Sequence, residues 1–183
     1  SLVLENSQYP EDFPKEFRIA YVPESKELAV EYELPHKKVI SSVVEYKYIK
    51  TRDALEEKTR KYSEIKDIYQ DIVSAICLRT IHELFEADQG HHLDVIDFNG
   101  FVNDTDPATG KDIRPCLISI RTNNDKFQEI NLAKIDKKAC LRNLGAHLSP
   151  KPDELMAVKP IVEFNMMDKR FVNESDILSD LEG

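Results

Sequence analysis

Residues 63–87, SEIKDIYQDIVSAICLRTIHELFEA, decide the fold. Ile65, Ile68, Tyr69, Ile72, Val73, Ile76, Thr80, Ile81, Leu84 and Phe85 recur at i, i+3, i+4 and i+7, the spacing that stacks side chains on one face of a helix. Cys77 and Leu78 widen the stripe, so the middle of this helix is expected to be covered on more than one side. A helix of roughly 25 residues is on the order of 37 Å long. Its length makes it the expected spine of the domain.

Upstream the period changes from helical to alternating. Residues 16–22 alternate Phe17, Ile19 and Tyr21 with Arg18 and Ala20, and a PESK turn follows. In residues 27–34, Leu28, Val30, Tyr32 and Leu34 alternate with Glu27, Ala29, Glu31 and Glu33, which predicts a strand with one face in the core and the other in water. Residues 43–50, VVEYKYIK, read as a third strand that completes a meander.

Downstream of the helix, residues 93–102 and 113–121 read as two more strands. The polar stretch NDTDPATGKD joins them, and Pro107 and Gly110 suit it to a hairpin loop. Asp125 is expected to cap a short helix, residues 136–144 form another that Gly145 stops, and a last strand falls around 161–164. The order βββαββα gives an α+β fold class, an antiparallel sheet packed on one long central helix.

Around that domain, placed at residues 16–165, residues 1–15 read as a lead-in that packs through Tyr9 and Phe13. Residues 166–183 read as an acidic linker toward a further domain. The chain opens on Ser rather than Met, so part of the natural protein is expected to lie beyond either end.

Composition narrows the function classes. No apolar run of 18 residues or more occurs among the 183, nor a charged-then-apolar leader, so the reading is a soluble protein without membrane insertion. Cys77, Cys116 and Cys140 are widely spaced within apolar patterns, as expected of reduced thiols in a cytoplasmic protein rather than a zinc site. The formal charge of −9 opposes non-specific attachment to nucleic acid. Locally it reverses: residues 36–61 hold eight Lys or Arg against four Asp or Glu, a surplus of +4. Lys37, Lys38, Lys47, Lys50, Arg52, Arg60 and Lys61 are therefore the candidate DNA contacts.

Motifs with defined chemistry fail one by one. Glu45 and Lys47 spell the Glu-x-Lys that ends the active-site strand of many Mg²⁺-dependent nucleases, where the Glu holds metal and the Lys orients water. That chemistry also needs an Asp from an earlier strand, and none occurs between Phe13 and Val44. Glu31 or Glu33 would have to substitute, yet both fall on the predicted solvent face. His82-Glu83 opens a His-Glu-x-x-His zinc motif, but Glu86 stands where the second His belongs, and His91 and His92 lie past Gly90. Counted from Asp104, a calcium loop would need Gly and Glu where Thr109 and Pro115 stand, although Asp106 is correctly spaced. Neither a phosphate-cradling glycine loop nor a Gly-x-Ser-x-Gly elbow is present. No catalytic, metal or cofactor-binding residue is assigned, and a binding or regulatory module remains. A metal-dependent hydrolase using Glu45 and Lys47 is the weaker alternative.

Four segments, SQYPEDFPKEFRIAYVPESKELAVEYELP, IKDIYQDIVSAICLRTIHELFEAD, FNGFVNDTDPATGKDIRPCLISIRT and MMDKRFVNESDILSDLEG, carry a resemblance across almost the whole chain, from about residue 7 to 183. In this order they resemble the region upstream of the catalytic domain in bacterial restriction endonuclease family proteins of the Mrr-like type. The resemblance implies a Mg²⁺-dependent PD-(D/E)xK nuclease domain downstream of Gly183, a role in defence against foreign DNA, and no catalytic residue here. The expected partners are that nuclease domain, DNA through the parent protein, and a second copy through the long apolar helix.

Overall fold

A computed structural model describes residues 16–163, with residues 44–47 described through their backbone alone. The long helix is α1, Tyr62–Ala87, one residue longer at its start than its apolar period predicts. Glu64 fixes that start by accepting the Lys61 N–H at 3.0 Å. Asp88 fixes the end, its carboxylate accepting the N–H groups of His92 and Leu93 at 2.9 and 2.8 Å. Side chains from every turn between Tyr69 and Phe85 enter the core.

The opposing layer is a five-stranded sheet. Its strands are β1 (Phe17–Val22), β2 (Glu27–Glu33), β5 (Val95–Phe101), β8 (Cys116–Asn123) and β9 (His147–Leu148), in that spatial order. Pairing is antiparallel except between β2 and β5 at the centre, which run parallel. Register places Ile19, Val30, Phe98 and Ile120 in one row and Tyr21, Leu28, Ile96 and Thr122 in the next. These rows meet α1. Gly100 lies on this face, and a Cβ there would come within 2.7 Å of Ile118 and 2.8 Å of Leu34.

Two short helices close the core from the side. Helix α2, Asn124–Gln128, inserts Phe127, and α3, Lys137–Asn143, inserts Leu141. Packing of α3 against the middle of α1 accounts for the wide stripe around Cys77 and Leu78. Asp136 caps α3 by accepting the Ala139 N–H at 2.7 Å, and Gly145, at φ +80°, stops it as expected. At α2 the cap is Asn123, which accepts the Lys126 N–H at 2.9 Å, and not Asp125, which lies in the first turn.

Two expectations are corrected, and a third, the hairpin loop between β5 and β8, gains detail. Residues 43–50 do not extend a meander, because both edges of β2 are occupied, one by β1 and the other by β5. Strand β3, Val43–Ile49, instead pairs with β4, Ala54–Thr59, in a separate two-stranded ribbon. The loop 103–112 carries its own small ladder between β6, Asp104–Thr105, and β7, Asp112–Ile113. Residues 161–163 form no strand, and the last strand of the sheet is β9, while Phe164 lies outside the described residues. The lead-in of residues 1–15 and the linker of residues 166–183 lie outside them too.

The second face of the sheet is not the water-facing one its alternation predicts. Residues 156–163 cross it and are latched to it through polar side chains. The Ile161 N–H donates to Ser119 Oγ at 2.8 Å, Ser119 donates to Asn99 Oδ1 at 2.6 Å, and Asn99 Nδ2 donates to the Val162 carbonyl at 2.7 Å. Ser119 and Asn99 are buried, and each finds its partners, as buried polar groups must.

Candidate functional site

The latched face gathers most of the carboxylates that metal chemistry would draw on. Glu31 and Glu33, expected in solvent, are largely covered and paired. Glu31 bonds Arg18, and Arg114 approaches Glu31 at 3.7 Å and Glu33 at 3.4 Å while its guanidinium lies 4.1 Å above the Phe101 ring. Beside them, Arg121 reaches Glu27 Oε1 at 2.5 Å and Asp97 Oδ2 at 3.0 Å. Burial pushes the Asp97 carboxyl up to about 8, and its shared hydrogen bond with Glu27 adds to the shift. Through that hydrogen bond and the one from Arg121, Glu27 is held down to about 2. A carboxyl poised near neutrality is usual for an acid–base catalyst, but Asp97 is 1% exposed.

Glu45 belongs to a different sheet from Glu31 and Glu33. In the ribbon, register seats Glu45 opposite Lys58 and Lys47 opposite Glu56. Among the described residues no group of three His, Cys, Asp or Glu is placed to hold a metal ion. His82 lies 3.4 Å from Glu86 on α1, and His92 lies 3.5 Å from Asp88.

The ribbon is the feature with no structural task in the core. All six residues of β4 are exposed. Tyr48 and Leu55, directly opposite one another, are 54% and 68% exposed. Seven residues of strand give the ribbon a reach of about 20 Å. Its tip is shaped by Asp53, whose φ of +45° is tolerated by a short polar side chain that hydrogen-bonds locally. The partner is the Tyr48 hydroxyl, which donates to Asp53 Oδ1.

Charge is distributed unevenly along this arm. Across residues 43–59, Lys47, Lys50, Arg52 and Lys58 are matched by Glu45, Asp53, Glu56 and Glu57, so the arm is formally neutral. The local surplus rests on Lys37, Lys38, Arg60 and Lys61 at its base. Two of those four are occupied: Lys37 donates to the Asp153 carbonyl at 2.8 Å, and Arg60 Nε to the Ser41 carbonyl at 2.9 Å. Lys38 and Lys61 are exposed at the base, Lys50 and Arg52 at the tip. Six of the seven candidate cations thus form two groups separated by the length of the ribbon, and the seventh, Lys47, lies along β3 between them.

The base itself is well ordered by polar contacts. His36 accepts the Lys38 N–H on Nδ1 at 3.1 Å, which leaves Nε2 to donate to Asp104. Tyr62 at the start of α1 donates to Asp153, and this bond pushes its phenol up to about 12.

Sequence reading missed β4, the Tyr48–Leu55 pair and the grouping of Glu27, Asp97 and Arg121. The Thr51-Arg52-Asp53 turn after VVEYKYIK was the available signal for the ribbon. Among the described residues no helix is long and apolar enough to cross a membrane. No family model matches the chain, and neither a curated protein nor a solved structure matches it.

Proposed function

We propose that this chain is a non-catalytic regulatory or interaction module of a DNA-cleaving defence protein of the Mrr-like restriction endonuclease type, and that the β3–β4 arm is its contact element. One observation carries the reading. The arm holds two large apolar side chains, Tyr48 and Leu55, in solvent at a cost that the fold does not need, since neither adds to the core. The segments quoted above supply the parent, whose Mg²⁺ site and nuclease chemistry would reside downstream of Gly183.

A second reading makes DNA the direct partner of the arm. Lys50 and Arg52 stand exposed at the tip of a two-stranded ribbon, and such a ribbon fits the major groove of B-DNA. The neutrality of the arm weighs against it, because phosphate attraction needs a net positive surface.

The test is plasmid cleavage by the 183-residue chain in Mg²⁺ or Mn²⁺, beside a Lys47→Ala variant, with DNA binding titrated against salt. No cleavage is expected from either form. Cleavage that disappears in Lys47→Ala would make VVEYKYIK an active-site strand and overturn the proposal. Binding that weakens steeply with salt, and weakens again in Lys50→Ala/Arg52→Ala, would favour the DNA reading. Following the reading frame past Gly183 tests the parent: an Asp followed by Glu-x-Lys or Gln-x-Lys should appear there.

A further inference from the structure

We infer that the arm pairs with the arm of a second copy of this chain, β3 against β3 in antiparallel register centred on Tyr46, giving a four-stranded sheet across a two-fold axis. The inference rests on the reading of the arm as a contact element and identifies what it contacts.

The backbone supplies the first argument. In the two-stranded ribbon, β3 is hydrogen-bonded to β4 along one edge only, and no other described strand lies along the second. A strand edge of this kind is a template for another strand, and natural exposed edges are blunted by proline, bulges or inward charges. The one irregularity in β3 lies between Val43 and Glu45, at its beginning, leaving Glu45 to Ile49 in regular pairing.

Charge supplies the second argument, and it selects one register. An isologous pair of antiparallel strands has its axis perpendicular to the sheet, so the axis passes between two copies of the same residue. Centring on Glu45 or on Lys47 sets like charges face to face. Centring on Tyr48 brings no opposite charges together. On β4, centring on Glu56, Glu57 or Lys58 also opposes like charges, centring on Leu55 opposes Asp53 to Glu57, and centring on Thr59 opposes Lys58 to Arg60; centring on Ala54 sets Arg52 against Glu56 but also Lys50 against Lys58. Centring on Tyr46 alone sets Glu45 against the second copy's Lys47 on both sides of the axis, with Tyr46 against its equivalent. The sequence Glu-Tyr-Lys is complementary to itself when reversed, which is the requirement for a symmetric antiparallel contact.

Register also seats those residues opposite charges within the arm, Glu45 opposite Lys58 and Lys47 opposite Glu56, so the test must leave that complementarity intact. Two double variants do so: Glu45→Lys/Lys58→Glu and Lys47→Glu/Glu56→Lys. Each keeps opposite charges across the ribbon while giving β3 two like charges. Neither can then pair with itself, but the two can pair with each other.

Sedimentation equilibrium of the 183-residue chain reads the outcome. The expected result is a concentration-dependent dimer for the unmodified chain, dimerisation weakened about tenfold or more in each double variant alone, and recovery in their equimolar mixture. Circular dichroism should show all three folded alike. A strict monomer for the unmodified chain, unweakened dimers in either double variant, or a mixture that fails to recover would each overturn the inference. The proposed function fails on a different result, cleavage lost in Lys47→Ala, so the two are tested separately.

Discussion

Asp97 and Arg121 face one another across β5 and β8, and Arg121 Nη1 donates to both oxygens of Asp97, at 3.1 and 3.0 Å. A buried acid, Asp97, and a partly exposed one, Glu27, share this one guanidinium. Burial raises the Asp97 carboxyl from 3.8 to about 8. Between those values the folded protein keeps a proton that the unfolded chain has released, so stability from this group falls as pH rises. A full proton of difference corresponds to about 1.4 kcal/mol per pH unit. Glu27 is depressed to about 2, and its contribution is lost only below its ordinary value of 4.5. Melting temperature is therefore expected to fall from pH 5 to pH 8, and Asp97→Asn should flatten that slope. Parallel melting curves for the two proteins through the window would contradict the assignment.

Gly100 is expected to resist the smallest substitution. A Cβ at this position would meet Ile118 and Leu34 at 2.7 and 2.8 Å, inside a core with no slack. Gly100→Ala should cost about 1–3 kcal/mol through overpacking, measured as a lower urea midpoint with an unchanged slope.

On the arm the expectation is reversed. Tyr48→Ser and Leu55→Ser remove exposed side chains, so each should move the urea midpoint by no more than about 0.5 kcal/mol in free energy. A larger loss in either would show that the arm is packed against something the core needs.

Thiol reactivity should follow burial. Burial pushes Cys77 well up and Cys116 to about 11, and Cys116 also donates to the Ile118 carbonyl. Cys140 is only half-buried. Maleimide labelling at neutral pH should modify Cys140 first, with Cys77 reached only after denaturant is added. Labelling of Cys77 in the folded protein at the rate of Cys140 would contradict this order.

Much of the fold was legible because a period records which side of an element is buried. The run from Ile65 to Phe85 carries that record without interruption, as do Phe17 to Tyr21 and Leu28 to Leu34. Pairing is less legible, since nothing in residues 27–34 says that β5 rather than β3 will lie beside them. The charged face of β2 was misread for a related reason. Alternation marks Glu31 and Glu33 as unlike the core, but it cannot distinguish water from Arg18 and Arg114, which sit far away in sequence. Strand β4 was hidden by its composition: Ala54, Leu55, Glu56, Glu57 and Lys58 favour helix, and with all six residues exposed the strand has no apolar alternation to display.

The parallel pairing of β2 with β5 has a consequence for how the arm can change. Everything between these strands, the arm included, lies within a single long connection whose ends the sheet holds together. Closure entropy depends on the logarithm of length, so shortening that connection by about a quarter, which removes the arm, alters the closure cost by only roughly 0.3 kcal/mol. The arm can therefore be lengthened, trimmed or exchanged for another ribbon with the helix and sheet left standing, so its surface can diverge independently of the scaffold that presents it.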